Sequence, residues 1–214
     1  MLSTSSVVFV VDDDVSVRES LEGMIRHAGW QPETYSSAQE FLNRTKVSVP
    51  SCLVLDVSLP GLSGLDLQKR IVDERSAMPI IFITGYGDVP TTVRAMKAGA
   101  MEFLTKPFSD EALLSAIEQA LERSRIALSR DVEMRALQRA HLSLTHRERQ
   151  VMSLVVSGML NKQIGGELGI SEITVKAHRG RVMEKMKAGS LAELVKMATR
   201  LRIGTSPKPK SPAA

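Results

Sequence analysis

A single cysteine, Cys52, stands in a chain of 214 residues. One thiol cannot close an internal disulfide or build a thiolate metal site, and its place in the apolar run Cys52-Leu53-Val54-Leu55 makes it a small core residue. Long apolar runs are missing too. Those present, such as Val7 to Val11, fall far short of a bilayer span. The N-terminus has neither the basic region nor the apolar core of a signal peptide, so a cytoplasmic protein with no membrane partner is expected. No Walker-type phosphate loop occurs. Pro and Gly are absent from Asp110 to His141, where Leu113, Ile117, Leu121, Leu128, Val132 and Leu137 recur mostly at spacings of four or seven. One long helix, breakable near Ser129, or a partly helical linker would both fit that pattern.

What is present is enough chain for one or two cores and an uneven charge. The net +4 conceals 11 Lys/Arg against 17 Asp/Glu over residues 1–123, 4 against 2 over 124–142, and 13 against 5 over 143–214. An acidic first part and a basic last part imply two domains with different partners, the basic one meeting a polyanion.

In the first part, apolar runs of strand length alternate with helical patterns. Val7 to Val11 ends in Asp12-Asp13-Asp14, and a helix through Val17, Leu21, Met24 and Ile25 stops at Gly29. Strands follow at Gln31 to Tyr35, at Cys52 to Asp56, at Pro79 to Thr84 and at Glu102 to Thr105. Between them, helices start at Ser37, Ser63, Asp88 and Ser109. Five strands alternating with five helices predict an α/β fold with a parallel sheet covered on both faces. Asp12, Asp13, Asp56, Thr84 and Lys106 then all fall at carboxyl ends of strands, the edge where open α/β sheets hold ligands. Three carboxylates in one cleft repel each other and are best tolerated around a hard divalent cation such as Mg²⁺. Lys106 adds a point charge and Thr84 a hydroxyl suited to a phosphoryl group, with Asp56 between them as the nucleophile.

On these residues the stretch from Val7 to about Arg123 resembles the receiver domain of two-component response regulators. The matching motifs are Val11-Asp12-Asp13-Asp14, Asp56-Val57-Ser58-Leu59-Pro60-Gly61, Thr84-Gly85 and Lys106-Pro107-Phe108. The resemblance implies a flavodoxin-like (βα)5 fold and an Asp56 that accepts phosphate from a sensor histidine kinase. It implies Mg²⁺ held by Asp12 and Asp13 with the Asp56 carboxylate and the Ser58 backbone carbonyl, and Lys106 paired with the phosphoryl oxygens. Thr84 and Phe103 stand where the family has its switch pair, and a cis bond before Pro107 is expected. Phosphatases with a strand-end Asp nucleophile commonly carry a second Asp two residues on as general acid. Here that position is Ser58, so the acyl phosphate should persist as a signal, and no turnover enzyme is expected.

After Leu144, Thr145-His146-Arg147-Glu148 is a capping box. Asn161 is read as the cap of a short helix ended by Gly169, Ser171 as the cap of the next, and Ser190-Leu191-Ala192-Glu193 as the start of a last one. Two short helices across a Gly-containing turn are a helix-turn-helix signature. On the helix after Ser171, Val175, His178, Val182 and Met186 fall on the core side. Ile173, Ala177 and Gly180 lie opposite, flanked by Lys176 and Arg181. Small central residues allow close approach to base edges, and the flanking bases reach phosphates or guanine.

Leu144 to about Arg202 is similar to the LuxR-type helix-turn-helix of the FixJ and NarL regulators. It carries Leu144-Thr145-His146-Arg147-Glu148, Asn161-Lys162-Gln163-Ile164 and Thr174-Val175-Lys176-Ala177-His178, while Gly85-Tyr86-Gly87-Asp88-Val89-Pro90 favours the FixJ branch. The resemblance puts Lys162, Thr174, Lys176, Ala177, Gly180 and Arg181 at double-stranded promoter DNA. Gly165-Gly166 departs from the family, which usually has Ala at the first position, and Gly180 replaces a commonly larger residue. The expected organisation is a receiver over 1–123, a helical linker over 124–142, the DNA-binding domain over 143–203 and a disordered tail over 204–214. The expected function is a transcriptional regulator that dimerises on phosphorylation through a face including Val93, Met96, Lys97 and Met101, with RNA polymerase as a further partner. The alternative is a phosphorelay or docking module whose second domain binds a protein.

Overall fold

Alternation along each strand decides which face of a sheet a side chain serves. In the computed structural model, which describes residues 6–45, 47–74, 78–85 and 87–203, five strands carry that alternation. They are β1 (Val7–Val11), β2 (Gln31–Tyr35), β3 (Ser51–Asp56), β4 (Ile80–Thr84) and β5 (Glu102–Thr105). All pair in parallel in the order β2-β1-β3-β4-β5, which is the flavodoxin-like order. Register sets Val11 beside Leu55, Asp56 beside Ile83 and Thr84 beside Thr105, so the carboxyl ends form one edge. Tyr86 and the tail 204–214, read above as part of a motif and as disordered, lie outside the described residues.

The helices of this region are α1 (Val15–His27), α2 (Ala38–Leu42), α3 (Gly64–Glu74), α4 (Val89–Lys97) and α5 (Asp110–Leu142). One face of the sheet, with Phe9, Val11, Leu53, Leu55 and Phe82, packs on Phe41 of α2, Leu67 and Ile71 of α3 and Ala95 of α4. The other, with Val8, Val10, Cys52, Val54, Ile81 and Ile83, packs on Leu21 and Ile25 of α1 and on Leu113, Ile117 and Leu121 of α5. Burial pushes the Cys52 thiol well above its ordinary pKa, which keeps it an inert core group. Met101 packs with this second cluster. On the other side of the sheet, Val93, Met96 and Lys97 of α4 are exposed. α5 runs unbroken through Ser129.

The chain divides into two compact units, Met1–Arg130 and Asp131–Ala214. The second is helical, with α6 (His146–Val156), α7 (Asn161–Leu168), α8 (Glu172–Met186) and α9 (Leu191–Arg200) following the end of α5. Leu137, Val151, Met152, Val155, Ile164, Val175, Val182, Met186 and Leu194 make its core. Thr145, Ser171 and Ser190 cap their helices as their sequence positions predict. Asn161 does not. The cap of α7 is Leu160, whose N–H donates to Gln163 Oε1 at 2.8 Å, while Asn161 is already helical. Its amide oxygen instead accepts from Arg179 Nη1 at 3.1 Å, tying α7 to α8. Between these helices Gly169 takes a φ of 65°, the left-handed turn that glycine makes without strain.

Candidate functional site

The acidic run after β1 splits into different jobs. Asp14 caps α1, accepting from Ser16 N–H and Oγ at 2.8 and 2.6 Å. Asp12 turns inward and is wholly shielded, whereas Asp13 is exposed. Asp56 ends β3 beside them, and one carboxylate oxygen from each of Asp12, Asp13 and Asp56 lies within 4.8 Å of the other two. Lys106, just after β5, donates to Asp12 Oδ2 at 2.8 Å and Asp56 Oδ2 at 3.0 Å. The remaining oxygens are also used, Asp12 Oδ1 by the Asp14 N–H at 2.9 Å and Asp56 Oδ1 by the Ser58 N–H at 2.8 Å.

Burial pushes the Asp12 carboxyl above its ordinary value, although Lys106 and the Asp14 N–H pull it back. Burial alone would lower the Lys106 ammonium, but its contacts with Asp12 and Asp56 outweigh that and raise it. One lysine therefore serves two carboxylates, with Asp13 beside them, and leaves the site short of positive charge. A donor set made only of hard oxygens with surplus negative charge fits a divalent cation. Thr84, at the end of β4, is fully buried, and its carbonyl accepts the Lys106 N–H at 2.7 Å. Phe103 in β5 is half-buried, its ring 6.1 Å from that of Phe82. The Lys106–Pro107 bond is cis.

Two supporting residues escape a reading by motif. Arg18 of α1 reaches back to donate to the carbonyls of Asp12 at 2.7 Å and Asp13 at 3.0 Å, holding the acidic turn. An arginine one helical turn beyond an acidic strand end is the only sequence signal for it. Gly64 packs so tightly under Asp56 that a Cβ there would stand 2.2 Å from the Asp56 carbonyl oxygen. Standing next to Ser63 at a helix start, it gives no sequence sign of this close approach.

In the second unit, Lys162, Thr174, Lys176, Ala177, Gly180 and Arg181 are all exposed, as is Ile173. Thr174 Oγ1 lies 2.8 Å from Ser171 Oγ, and Lys176 Nζ lies 3.5 Å from Glu172 Oε1. Val175, Val182 and Met186 are buried, so α8 presents a basic, small-residue face outward. His178 is half-buried on the inner side, and its Nδ1 has no hydrogen-bond partner among the described residues. Beneath α8, Glu148 of α6 accepts from Lys185 Nζ at 2.7 Å and from the Thr145 N–H at 2.8 Å. Lys185 and Glu148 lie 37 residues apart, a pairing no local pattern reveals.

Comparisons with known proteins agree with both halves. Residues 8–118 match the response regulator receiver domain, and residues 142–198 match the bacterial regulatory proteins of the luxR family. The chain is 50% identical over 204 residues to Nodulation protein W of Bradyrhizobium diazoefficiens, covering 95% of this chain and 90% of that one. It is 40% identical over 199 residues to the transcriptional regulatory protein FixJ of the same organism, covering 93% and 97%. The low-resolution structure of the response regulator StyR superposes with a TM-score of 0.83 at 48% identity, covering 92% of this chain and 99% of that one. A receiver sheet with an acidic strand-end pocket, followed by a LuxR-type helix-turn-helix, places this chain in the family of response regulators that regulate transcription, in the branch that includes FixJ.

Proposed function

We propose that Asp56 accepts a phosphoryl group from a sensor histidine kinase, and that the modified chain binds double-stranded promoter DNA as a homodimer. The observation that carries this reading is the cluster in which Lys106 bridges Asp12 and Asp56 beside the exposed Asp13. An Asp56 carboxylate oxygen attacks phosphorus, forming the P–O bond as the P–N bond of the phosphohistidine breaks, and the imidazole nitrogen keeps the electron pair. Lys106 then offers its ammonium, and Thr84 its hydroxyl, to the three phosphoryl oxygens. Asp12, Asp13, the Asp56 carboxylate and the Ser58 carbonyl would hold Mg²⁺, whose charge offsets that of the phosphoryl group. Arg18 keeps Asp12 and Asp13 aimed by fixing their backbone.

Ser58, two residues beyond Asp56, is no proton donor of carboxyl strength, which supports slow loss of the group to water rather than catalytic turnover. Exposed Val89, Val93 and Met96 on α4 support self-association near Phe103. The outward basic face of α8 supports DNA as the second partner, with RNA polymerase met at the promoter. Among the described residues no helix is long and apolar enough to cross a membrane, which supports a place in the cytoplasm with the DNA. Incubation with acetyl phosphate and Mg²⁺ tests the assignment. Wild type should gain one phosphoryl mass and Asp56→Asn none, because an amide does not attack phosphorus. Equal labelling of the variant would overturn it.

A further inference from the structure

Ile173, in the first turn of α8, is 79% exposed, the most exposed large apolar side chain among the described residues. It takes no part in the core beneath α8, which is built by Val175, Val182 and Met186. Ala177 and Gly180 follow it along the same stripe, four and then three residues on. Gly180 is unusual in its own way. It lies inside the helix, is exposed, and a Cβ added there would meet nothing within 4 Å. Neither packing nor a left-handed backbone requires glycine at this position, yet glycine is a poorer helix former than alanine. The gain from its smallness must come from something that approaches α8 from outside. Lys176 and Arg181, exposed on either side of the stripe, give that visitor a negative charge.

We propose that Ile173 reads a thymine. The inference rests on the DNA-binding reading given above. With α8 in the major groove, Ala177 and Gly180 let the helix axis come close to the base edges, and this closeness brings Ile173 onto them from the N-terminal turn, the end from which such helices contact bases. A β-branched hydrocarbon offers no hydrogen bond. Among the four bases only thymine shows an apolar group in the major groove, its C5-methyl, so a required thymine in each half-site is the specific consequence.

The test uses the full chain with acetyl phosphate and Mg²⁺ and a pool of duplexes randomised over two half-sites. After a preferred site has been enriched, each thymine in turn is replaced by uracil, which keeps every hydrogen-bonding group and removes only the methyl. One replacement per half-site should weaken wild-type binding about fourfold, the worth of one buried methyl. Ile173→Ser should bind thymine and uracil versions equally. Gly180→Ala should raise the melting temperature by about 4–8 °C while weakening the enriched site about fivefold or more through the added bulk. A flat uracil scan in wild type, or a methyl effect that survives Ile173→Ser, overturns the role of Ile173. Undiminished binding by Gly180→Ala overturns the clearance role. Failure to enrich any sequence overturns the DNA reading itself and this inference with it, as when the stripe meets a protein.

Discussion

Asp12 in the first unit and Glu148 in the second are both shielded carboxylates bonded to a lysine, at 2.8 and 2.7 Å, yet their acidities move in opposite directions. Asp12 is pushed up, because burial outweighs a lysine that it shares with Asp56. Glu148 is held down to about 2, chiefly by the Lys185 ammonium and then by the Thr145 N–H. The difference lies in the company each carboxylate keeps. A buried charge with a dedicated counter-ion is part of the scaffold. A cluster with more negative than positive charge is instead ready to take up a cation or change its covalent state.

The largest expected effect comes from removing each lysine. Lys185→Met leaves Glu148 buried at 2% exposure without its counter-charge, and should cost the second unit about 3 kcal/mol. This is the low end of the range for a broken buried pair, because Lys185 is itself partly exposed. Lys106→Met should cost the first unit only about 1 kcal/mol once millimolar Mg²⁺ is present, since a bound cation takes over the neutralising role. Denaturant titration separates the two, with Trp30, the sole tryptophan, reporting on the first unit and the part of the far-ultraviolet dichroism change that Trp30 does not follow reporting on the second. Equal losses would erase the distinction between scaffold and site.

Acid sharpens the same comparison. The pKa of Glu148 falls from an ordinary 4.5 to about 2 on folding. Its contribution is therefore fully present above pH 4.5 and is lost as the pH falls toward 2. Asp12 has the opposite sign: its raised value favours the folded state at low pH, and that contribution is lost as the pH rises through the shifted pKa. In metal-free protein Asp12 should thus oppose the acid sensitivity that the lowered carboxylates of the first unit, Asp14, Glu40, Asp66 and Asp88, impose. Lys185→Met should flatten the acid limb of the second unit, and an unchanged slope in that variant would assign the acid sensitivity to other groups.

How much of this could be read from the chain follows from the range of each interaction. Strand runs, capping boxes and acids at strand ends are patterns within a few residues, and Val7–Val11, Thr145 with Glu148, and the strand-end places of Asp12, Asp56, Thr84 and Lys106 stand where those patterns put them. Asn161 looked like a cap because its side chain suits one, but a contact with Arg179, 18 residues away, recruits it instead. Met101 precedes β5, where alternation has not begun, so its packing against the α1 and α5 side could not be read from the strand pattern. Arg18 on two carbonyls, Gly64 against Asp56 and Lys185 on Glu148 depend on tertiary approach, which no local periodicity encodes.

The smallest effect separates two neighbouring glycines in α7, which sequence alone treats as equally costly to the helix. Gly165 is buried, and a Cβ on it would stand 2.8 Å from the Ile170 carbonyl oxygen in the turn before α8. Gly166 is exposed with nothing within 4 Å. Alanine at 166 gains helix propensity without contact, so Gly166→Ala should stabilise the second unit by about 1 kcal/mol. Alanine at 165 gains the same propensity but pushes the turn that sets α8 against α7, an overpacking cost of about 1–3 kcal/mol that cancels or exceeds the gain. Gly165→Ala should therefore be neutral to destabilising. The helix-turn-helix of this chain has closed onto the missing methyl, with Asn161 Oδ1 accepting from Arg179 Nη1 across the same two helices. Thermal denaturation of the two single variants decides it. Equal stabilisation by both would mean that the turn yields freely and that Gly165 weakens α7 without bringing the helices closer.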